Sequence, residues 1–277
     1  MNIEKLVTQA VGGDKTALEG AIAAIRDDVY YLALRMLANP EDAADATQEI
    51  LVKVVTKLSS FRFDSSFKTW VYRVATNCLI TQKKRLEKYA GLTFEMYKAD
   101  LESDLQSPDA FKERPDYPVL LNELRISCTM AMLLCLTPPY RIAYILGDIL
   151  ELSQGEASSI LEISKENYRK RLSRARKEVV EFTSKSCGLK NDCAACSCDR
   201  KLTGSINRLR IKLGNTPLAD GASKTYEEVK RAVAETQESL RTIELQRSIE
   251  HYRSPIELGQ VIEAIAIEGV KGNLSNS

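Results

Sequence analysis

Val29, Leu32, Ala33, Met36 and Leu37 recur at three- and four-residue spacing. So do Ile50, Leu51, Val54, Val55 and Leu58, and again Trp70, Val71, Val74, Ala75, Cys78 and Leu79. The pattern predicts three amphipathic helices sharing one core. Asn39-Pro40 separates the first two, and Glu41, Asp42 and Asp45 fall in the opening turns of the second, where the helix dipole favours anions. Ser59 to Lys68 reads as the loop before the third. Residues 91–117 are acidic and poor in aliphatics, with Pro108 and Pro115, and read as a linker. Fully extended, such a stretch reaches roughly 90 Å, so the modules on either side need not touch.

A second periodic module begins near Tyr117. Thr137-Pro138 is a cap followed by proline at the first helical position, opening a helix through Ile142, Ile145, Leu146 and Ile149. Ser153-Gln154-Gly155-Glu156 has the capping-box form and starts a short helix with Ala157, Ile160 and Leu161 inward. After the turn Glu162-Ile163-Ser164, Ser164 caps a longer helix. Its buried stripe is Tyr168, Leu172, Ala175 and Val179; Arg169, Lys170, Ser173, Arg174 and Lys177 are left outward. Short helix, tight turn and longer basic helix make a helix-turn-helix, whose second helix suits a DNA major groove. A helical hairpin with a solvated basic face is the alternative. Beyond Thr183, Tyr226, Val229, Val233, Thr236, Leu240 and Ile243 predict one helix from Lys224 to Tyr252, packed in a small helical domain. Ser254-Pro255-Ile256-Glu257 then restarts a final helix with another capping box. The expected architecture is all-α: helical modules at 1–90 and 118–185, the flexible linker 91–117, and a helical C-terminal extension at 186–277.

Composition supports a soluble, mainly helical protein, with 44% hydrophobic, 28% charged and 6% aromatic residues. The longest uninterrupted apolar stretch, Met130 to Leu136, is far too short to span a bilayer, and the N-terminal residues lack a signal-peptide core; both point to the cytoplasm and away from membranes. One histidine, His251, in the whole chain argues against most Ser/His/Asp and Cys/His catalytic schemes. The 39 basic and 38 acidic side chains nearly cancel, which on its face argues against a polyanionic partner. By segment the balance disappears. Residues 1–61 carry six bases and nine acids, 62–90 seven and two, 91–117 three and seven, and 164–177 seven and one. Two cationic blocks separated by an acidic stretch suit a protein touching a phosphate backbone at two places, or else are solvated helix faces.

Phe61, Phe63, Phe67, Trp70 and Tyr72 crowd into twelve residues just ahead of Lys83, Lys84, Arg85 and Lys88. Aromatics beside cations are the equipment for single-stranded DNA, because stacking one base on a ring contributes about 1–3 kcal/mol while cations take the phosphates. Phe67 and Trp70 also suit a role as core filling; Phe61 and Phe63, alternating in a loop, are the stronger candidates for bases.

The string DVYYLALRMLANPEDAADATQEILVKVVTKLSSFRFDSSFKTWVYRVATNCLITQKKR (Asp28–Arg85) resembles region 2 of bacterial RNA polymerase sigma factors of the extracytoplasmic-function (ECF) branch. LTPPYRIAYILGDILELSQGEASSILEISKENYRKRLSRARKEV (Leu136–Val179) is similar to their region 4. The resemblance implies a non-catalytic polymerase subunit that needs no cofactor for this task. Asp42, Asp45, Gln48 and Glu49 match the motif by which the family holds the clamp helices of the largest subunit of core RNA polymerase. Asp64, Ser65 and Ser66 lie where its specificity loop takes an extruded base of the −10 element. Arg73, Asn77, Lys83 and Lys84 match positions facing the −10 strand, alongside Phe61, Phe63 and Trp70. Arg169, Lys170, Ser173 and Arg174 fall where promoter DNA is read at −35. Tyr168 departs from the small or β-branched residues usual there, and Lys170 from the common serine. Promoter DNA, core polymerase and an anti-sigma factor are the partners this implies. A free-standing helix-turn-helix regulator and a cytosolic metal-sensing protein are the competing readings.

Cys187, Cys193, Cys196 and Cys198 fall within twelve residues. In a reducing compartment, clustered thiols read as ligands for zinc or another thiophilic metal such as copper(I), as a thiol redox switch, or as a packed cluster. Cys-x-Cys crowds two ligands, and the standard pairing of two Cys-x2-Cys units is absent. Cys78, Cys128 and Cys135 read as small core residues.

Overall fold

The computed structural model describes residues 2–81, 91–107, 109–208, 224–249, 252–257 and 259–264. Among them there are helices and no strand, in agreement with the all-α expectation. The chain divides into two compact units. One gathers the described residues within Met1–Lys88, Ser153–Lys165 and His251–Ser277, the other those within Tyr89–Leu152 and Glu166–Glu250.

In the first unit, α1 (Ile3–Val11), α2 (Lys15–Leu37), α3 (Pro40–Thr56) and α4 (Phe67–Thr81) pack on one another. Ile22, Ile25, Val29, Leu32 and Met36 of α2, Ile50, Leu51 and Val54 of α3, and Val71, Ala75 and Leu79 of α4 are all buried. The break between α2 and α3 follows the sequence rule closely. Ala38 turns the chain with φ 51°, the Asn39 side chain accepts the Asp42 N–H at 2.9 Å, Pro40 occupies the first turn, and Glu41 and Asp42 face the positive end of the dipole. The Glu4 carboxylate accepts the Phe67 N–H at 2.9 Å, so α1 satisfies a donor that the start of α4 leaves open. The short α9 (Gln154–Ile160) packs on α4 and opens with the expected capping box between Ser153 and Glu156. Residues 252–257 have no regular secondary structure, and among the described residues that follow, 259–264 are helical. The final helix therefore starts later than its capping-box sequence suggests, because Ser254 and Ile256 are bonded to α2 instead: Ser254 N–H donates to Asp27 Oδ1 at 2.9 Å and Arg26 Nη1 to the Ile256 carbonyl at 3.2 Å.

The second unit contains α5 (Phe94–Glu102), α6 (Asp109–Lys112), α7 (Tyr117–Leu134), α8 (Pro138–Tyr144) with a π-helical turn at Ile145–Ile149, and most of α10 (Lys165–Ser186). It is completed by α11 (Cys198–Asn207), α12 (Tyr226–Glu235) and α13 (Arg241–Arg247). The stretch read as a linker contains two of these helices. Thr93 caps α5, Tyr97 and Leu101 are buried, and the Tyr97 hydroxyl donates to the Cys128 carbonyl at 3.0 Å. Two buried side chains one helical turn apart suffice once α7 supplies a partner, whatever the acidic composition. The single helix expected over 224–252 is instead a pair, α12 and α13, broken where Thr236 turns extended (ψ 145°). Folding back lets Val229 and Val233 meet Leu245, burial that one straight helix of this length cannot obtain from its own residues. Leu120, Leu121 and Leu124 of α7 enclose Leu202, Ile206 and Tyr226 from the extension. Arg141, almost wholly buried, gives three hydrogen bonds of 2.9–3.0 Å to the carbonyls of Leu133, Leu134 and Leu136, placing a cation at the C-terminal end of α7. Burial lowers its pKa to about 10.

Candidate nucleic-acid interface

Between α3 and α4 lies a cleft of about 400 Å³ lined by Lys53, Lys57, Ser60, Trp70, Arg73, Asn77 and Thr81. The helical spacing of Trp70, Arg73 and Asn77 sets them along one edge of α4, and Lys53 in the last turn of α3 is followed by Lys57 at its C-cap. Three cations, an amide and an aromatic ring thus face one groove. Lys53 and Lys57 were missed in the sequence; their i, i+4 spacing on the face of α3 turned from the buried stripe was the available signal. Lys53 Nζ reaches Cys78 Sγ at 3.2 Å, and Arg73 Nη2 donates to Ser159 Oγ of α9 at 2.9 Å.

The aromatic cluster sorts differently from the sequence expectation. Phe61 is buried, with rings of Phe63, Phe67 and Trp70 at 4.6, 5.6 and 5.4 Å, so it is a core residue and its loop position misled. Phe67 is fully buried and stacks under Trp70 at 5.8 Å with 23° between planes. Trp70 is half-buried, supported from below and open to the cleft. Phe63 is 46% exposed and holds φ 60°, left-handed backbone that a bulky residue seldom adopts. Asp64 next to it is exposed and Ser65 partly so. Ser66 is occupied: its Oγ accepts the Thr69 N–H at 3.1 Å as the cap of α4. Lys83 and Lys84 lie outside the described residues.

On α3, Asp45 and Glu49 are exposed one turn apart, with Asp42 and Gln48 half-buried beside them. Gln48 Nε2 meets the Gln260 carbonyl at 3.4 Å, and Ile256 and Val261 are buried, so the C-terminal segment lies along this side of the unit.

In the second unit α10 shows the expected division, with Tyr168, Leu172, Ala175 and Val179 buried and Arg169, Lys170, Ser173 and Arg174 exposed. Lys170 pairs with Glu166 at 2.7 Å, one turn earlier, and Arg174 Nη1 meets the Tyr140 hydroxyl at 2.9 Å. Arg176 is spoken for structurally: its guanidinium forks onto buried Asp148 with bonds of 2.5–2.9 Å. Tyr168, the residue out of pattern, is wholly buried, its hydroxyl bonded to the Ala143 carbonyl at 3.3 Å directly over Gly147. Burial and nearby Asp148 push that phenol up to about 12, so it stays a neutral donor.

The Sigma-70 region 2 family model matches residues 21–89 and the Sigma-70 region 4 model residues 126–179. The ECF RNA polymerase sigma factor SigW of Bacillus subtilis is 31% identical over 187 residues, which cover 64% of this chain and 94% of that protein. The chain belongs to the ECF sigma factors. Its members are non-catalytic specificity subunits of RNA polymerase, acting in promoter-directed initiation. The ECF RNA polymerase sigma-E factor of Escherichia coli K12 is 29% identical over 180 residues, 63% of this chain and 90% of that one. A solved structure of CnrH in complex with the cytosolic domain of CnrY is 20% identical, covering 62% of this sigma factor and 91% of that chain, with a TM-score of 0.46. Neither family model extends past residue 179. Among the described residues no helix of this sigma factor is long and apolar enough to cross a membrane.

Proposed function

We propose that the sigma factor divides promoter recognition among the three surfaces just described. Residues 1–90 act as region 2. The α3 face of Asp42, Asp45, Gln48 and Glu49 docks on the clamp helices of core polymerase, where its acids suit a basic partner. The α3–α4 cleft takes the melted −10 strand, with Trp70 as the stacking platform, Lys53, Lys57 and Arg73 on phosphates, Asn77 on a base edge, and Asp64 at the mouth of the pocket for one extruded base. Residues 118–185 act as region 4, with Arg169, Lys170, Ser173 and Arg174 of α10 reading the −35 element. The observation that carries this reading is the cleft: a half-buried indole stacked on a buried phenylalanine and flanked by three cations. Such a groove holds single strands by stacking and charge, and capturing one base offsets the few kcal/mol that unstacking costs.

The site of action is the cytoplasm. An anti-sigma protein competing for the α3 face and α10 belongs to the same reading, as does a thiophilic metal in the extension at 186–277. Crosslinking tests the proposal: a photoreactive base within the −10 strand of a promoter complex should label α4 near Trp70 only when core polymerase is present. Labelling confined to α10, or labelling independent of polymerase, contradicts it.

A further inference from the structure

Cys128 of α7, Cys187 at the end of α10, and Cys196 and Cys198 at the start of α11 line a single cavity of about 30 Å³. Three of these thiols come from the cysteine-rich stretch and one from a helix 59 residues upstream. Each of the four lies within electrostatic reach of the other three. Cys193 is not among them; it is exposed, with its N–H turned to Asn191 Oδ1 at 3.0 Å.

We propose that Cys128, Cys187, Cys196 and Cys198 form a four-thiolate site for one tetrahedral thiophilic cation of the zinc(II) class, fastening the C-terminal extension to α7. As they stand the four are free thiols, and among the described residues no three His, Cys, Asp or Glu side chains are drawn together as a metal shell. The shell closes when the cation displaces their protons: one zinc(II) and four thiols give a tetrathiolate of charge −2 and four released protons.

Burial pushes all four thiols up from their ordinary range, so the cation itself supplies the drive to deprotonate them, and the local backbone gathers them. The turn at Cys187 is closed by the Lys190 and Asn191 N–H groups, which donate to its carbonyl at 3.0 and 2.9 Å. Cys198 is the first residue of the ten-residue α11, so this end of the cluster is held on a regular element. The Cys-x-Cys spacing, crowded on paper, is resolved by Ser197. Its φ of −122° and ψ of 155° are extended, and alternate residues of an extended chain point to the same side. Gly188 brings the two halves of the loop together, its N–H donating to the Cys196 carbonyl at 2.9 Å; a Cβ there would lie 2.7 Å from that oxygen. Buried Arg125 lines the cavity, and the Lys201 ammonium, also buried, acts on Cys128 and Cys196, so two cations stand near the net −2.

Cobalt(II) titrated into the metal-stripped full chain under reducing conditions is the test. One equivalent should bind, with the d–d bands of a tetrahedral thiolate complex and sulfur-to-cobalt charge transfer, and zinc(II) should displace it. Cys128→Ser should weaken binding by more than the about 10–100-fold that losing a supporting hydrogen bond costs, and Cys193→Ser should leave it unchanged. Differential alkylation of the unaltered chain avoids any folding defect of a variant: a chelator should expose Cys128 together with Cys187, Cys196 and Cys198, while Cys193 reacts throughout. Failure to take up cobalt, retention of the full spectrum in Cys128→Ser, loss of it in Cys193→Ser, or alkylation of Cys128 that ignores the chelator overturns the proposal. Because none of these readouts involves polymerase or DNA, their failure is distinguishable from failure of the promoter-recognition reading.

Discussion

Gly147 seats α10, and substituting it gives a quantitative test of how the bulk of Tyr168 is accommodated. A methyl at Gly147 would enter the van der Waals shell of the Tyr168 hydroxyl and approach Leu172 Cδ2 to 2.9 Å. Both neighbours are buried and the π-helical turn fixes the backbone, so Gly147→Ala should carry an overpacking cost of about 1–3 kcal/mol. Tyr168→Phe removes only one neutral hydrogen bond, 3.3 Å long, at a cost of about 0.5–1.5 kcal/mol, but it opens the space the methyl needs. The double variant should therefore be more stable than the sum of the two single effects by about 1 kcal/mol, a coupling expected between touching residues. Chemical denaturation followed by helical circular dichroism measures it, since Trp70, the single tryptophan, reports on the other unit. Binding to duplex DNA carrying the −35 element should follow the same order. Strict additivity would refute the claim that the tyrosine hydroxyl and the missing side chain at 147 fill one another's space.

Trp70→Ala should lower open-complex formation by the about 1–3 kcal/mol of one stacked base, with Trp70→Phe largely retaining it, as read by permanganate reactivity of the −10 strand. Arg169→Ala should relax discrimination at one −35 position by about 1–3 kcal/mol if the contact is bidentate to guanine, seen in a library-based binding assay. Asp45→Lys with Glu49→Lys should slow association with core polymerase at least about tenfold, most at low salt, in stopped-flow measurements. Replacing Ile256 and Val261 by aspartate should detach the C-terminal segment from α2 and α3 and raise core affinity, measured by anisotropy, because Gln48 then loses its contact with Gln260. Hydrogen bonds from Ser153 hold the Glu156 carboxyl below its ordinary range, so the capping box at α9 contributes above the unfolded pKa and is lost as pH falls through the folded one. Hydrogen exchange at the first turn of α9 should quicken accordingly on acidification.

Local rules made much of this structure legible. The caps at Asn39 and Ser153, the proline starts of α3 and α8, and the two-faced α10 each follow from a few adjacent residues whose side chains and backbone satisfy one another. What escaped depends on partners distant in the chain. Nothing near Tyr97 announces that its hydroxyl will find the Cys128 carbonyl, so an acidic stretch poor in aliphatics passes for a linker. The periodicity over 226–243 reads the same for a straight helix and for a folded pair, and only Leu245 packing on Val229 and Val233 decides between them. Phe61 and Phe63 alternate in sequence, yet a left-handed turn at Phe63 leaves one buried and the other exposed. Cys128 lies inside a helix whose apolar composition accounts for it, and its place beside three other thiols emerges only when the extension folds back on α7.

Run-off transcription with bacterial core polymerase over a promoter library, with and without the full chain, tests the central claim most directly. Transcripts should appear from a defined set of two-element promoters only when the chain is present, abolished by charge reversal at Asp45 and Glu49 and reduced by Trp70→Ala. Tight binding of the isolated chain to duplex operators, with no promoter-specific transcript from any functional core enzyme, would contradict it.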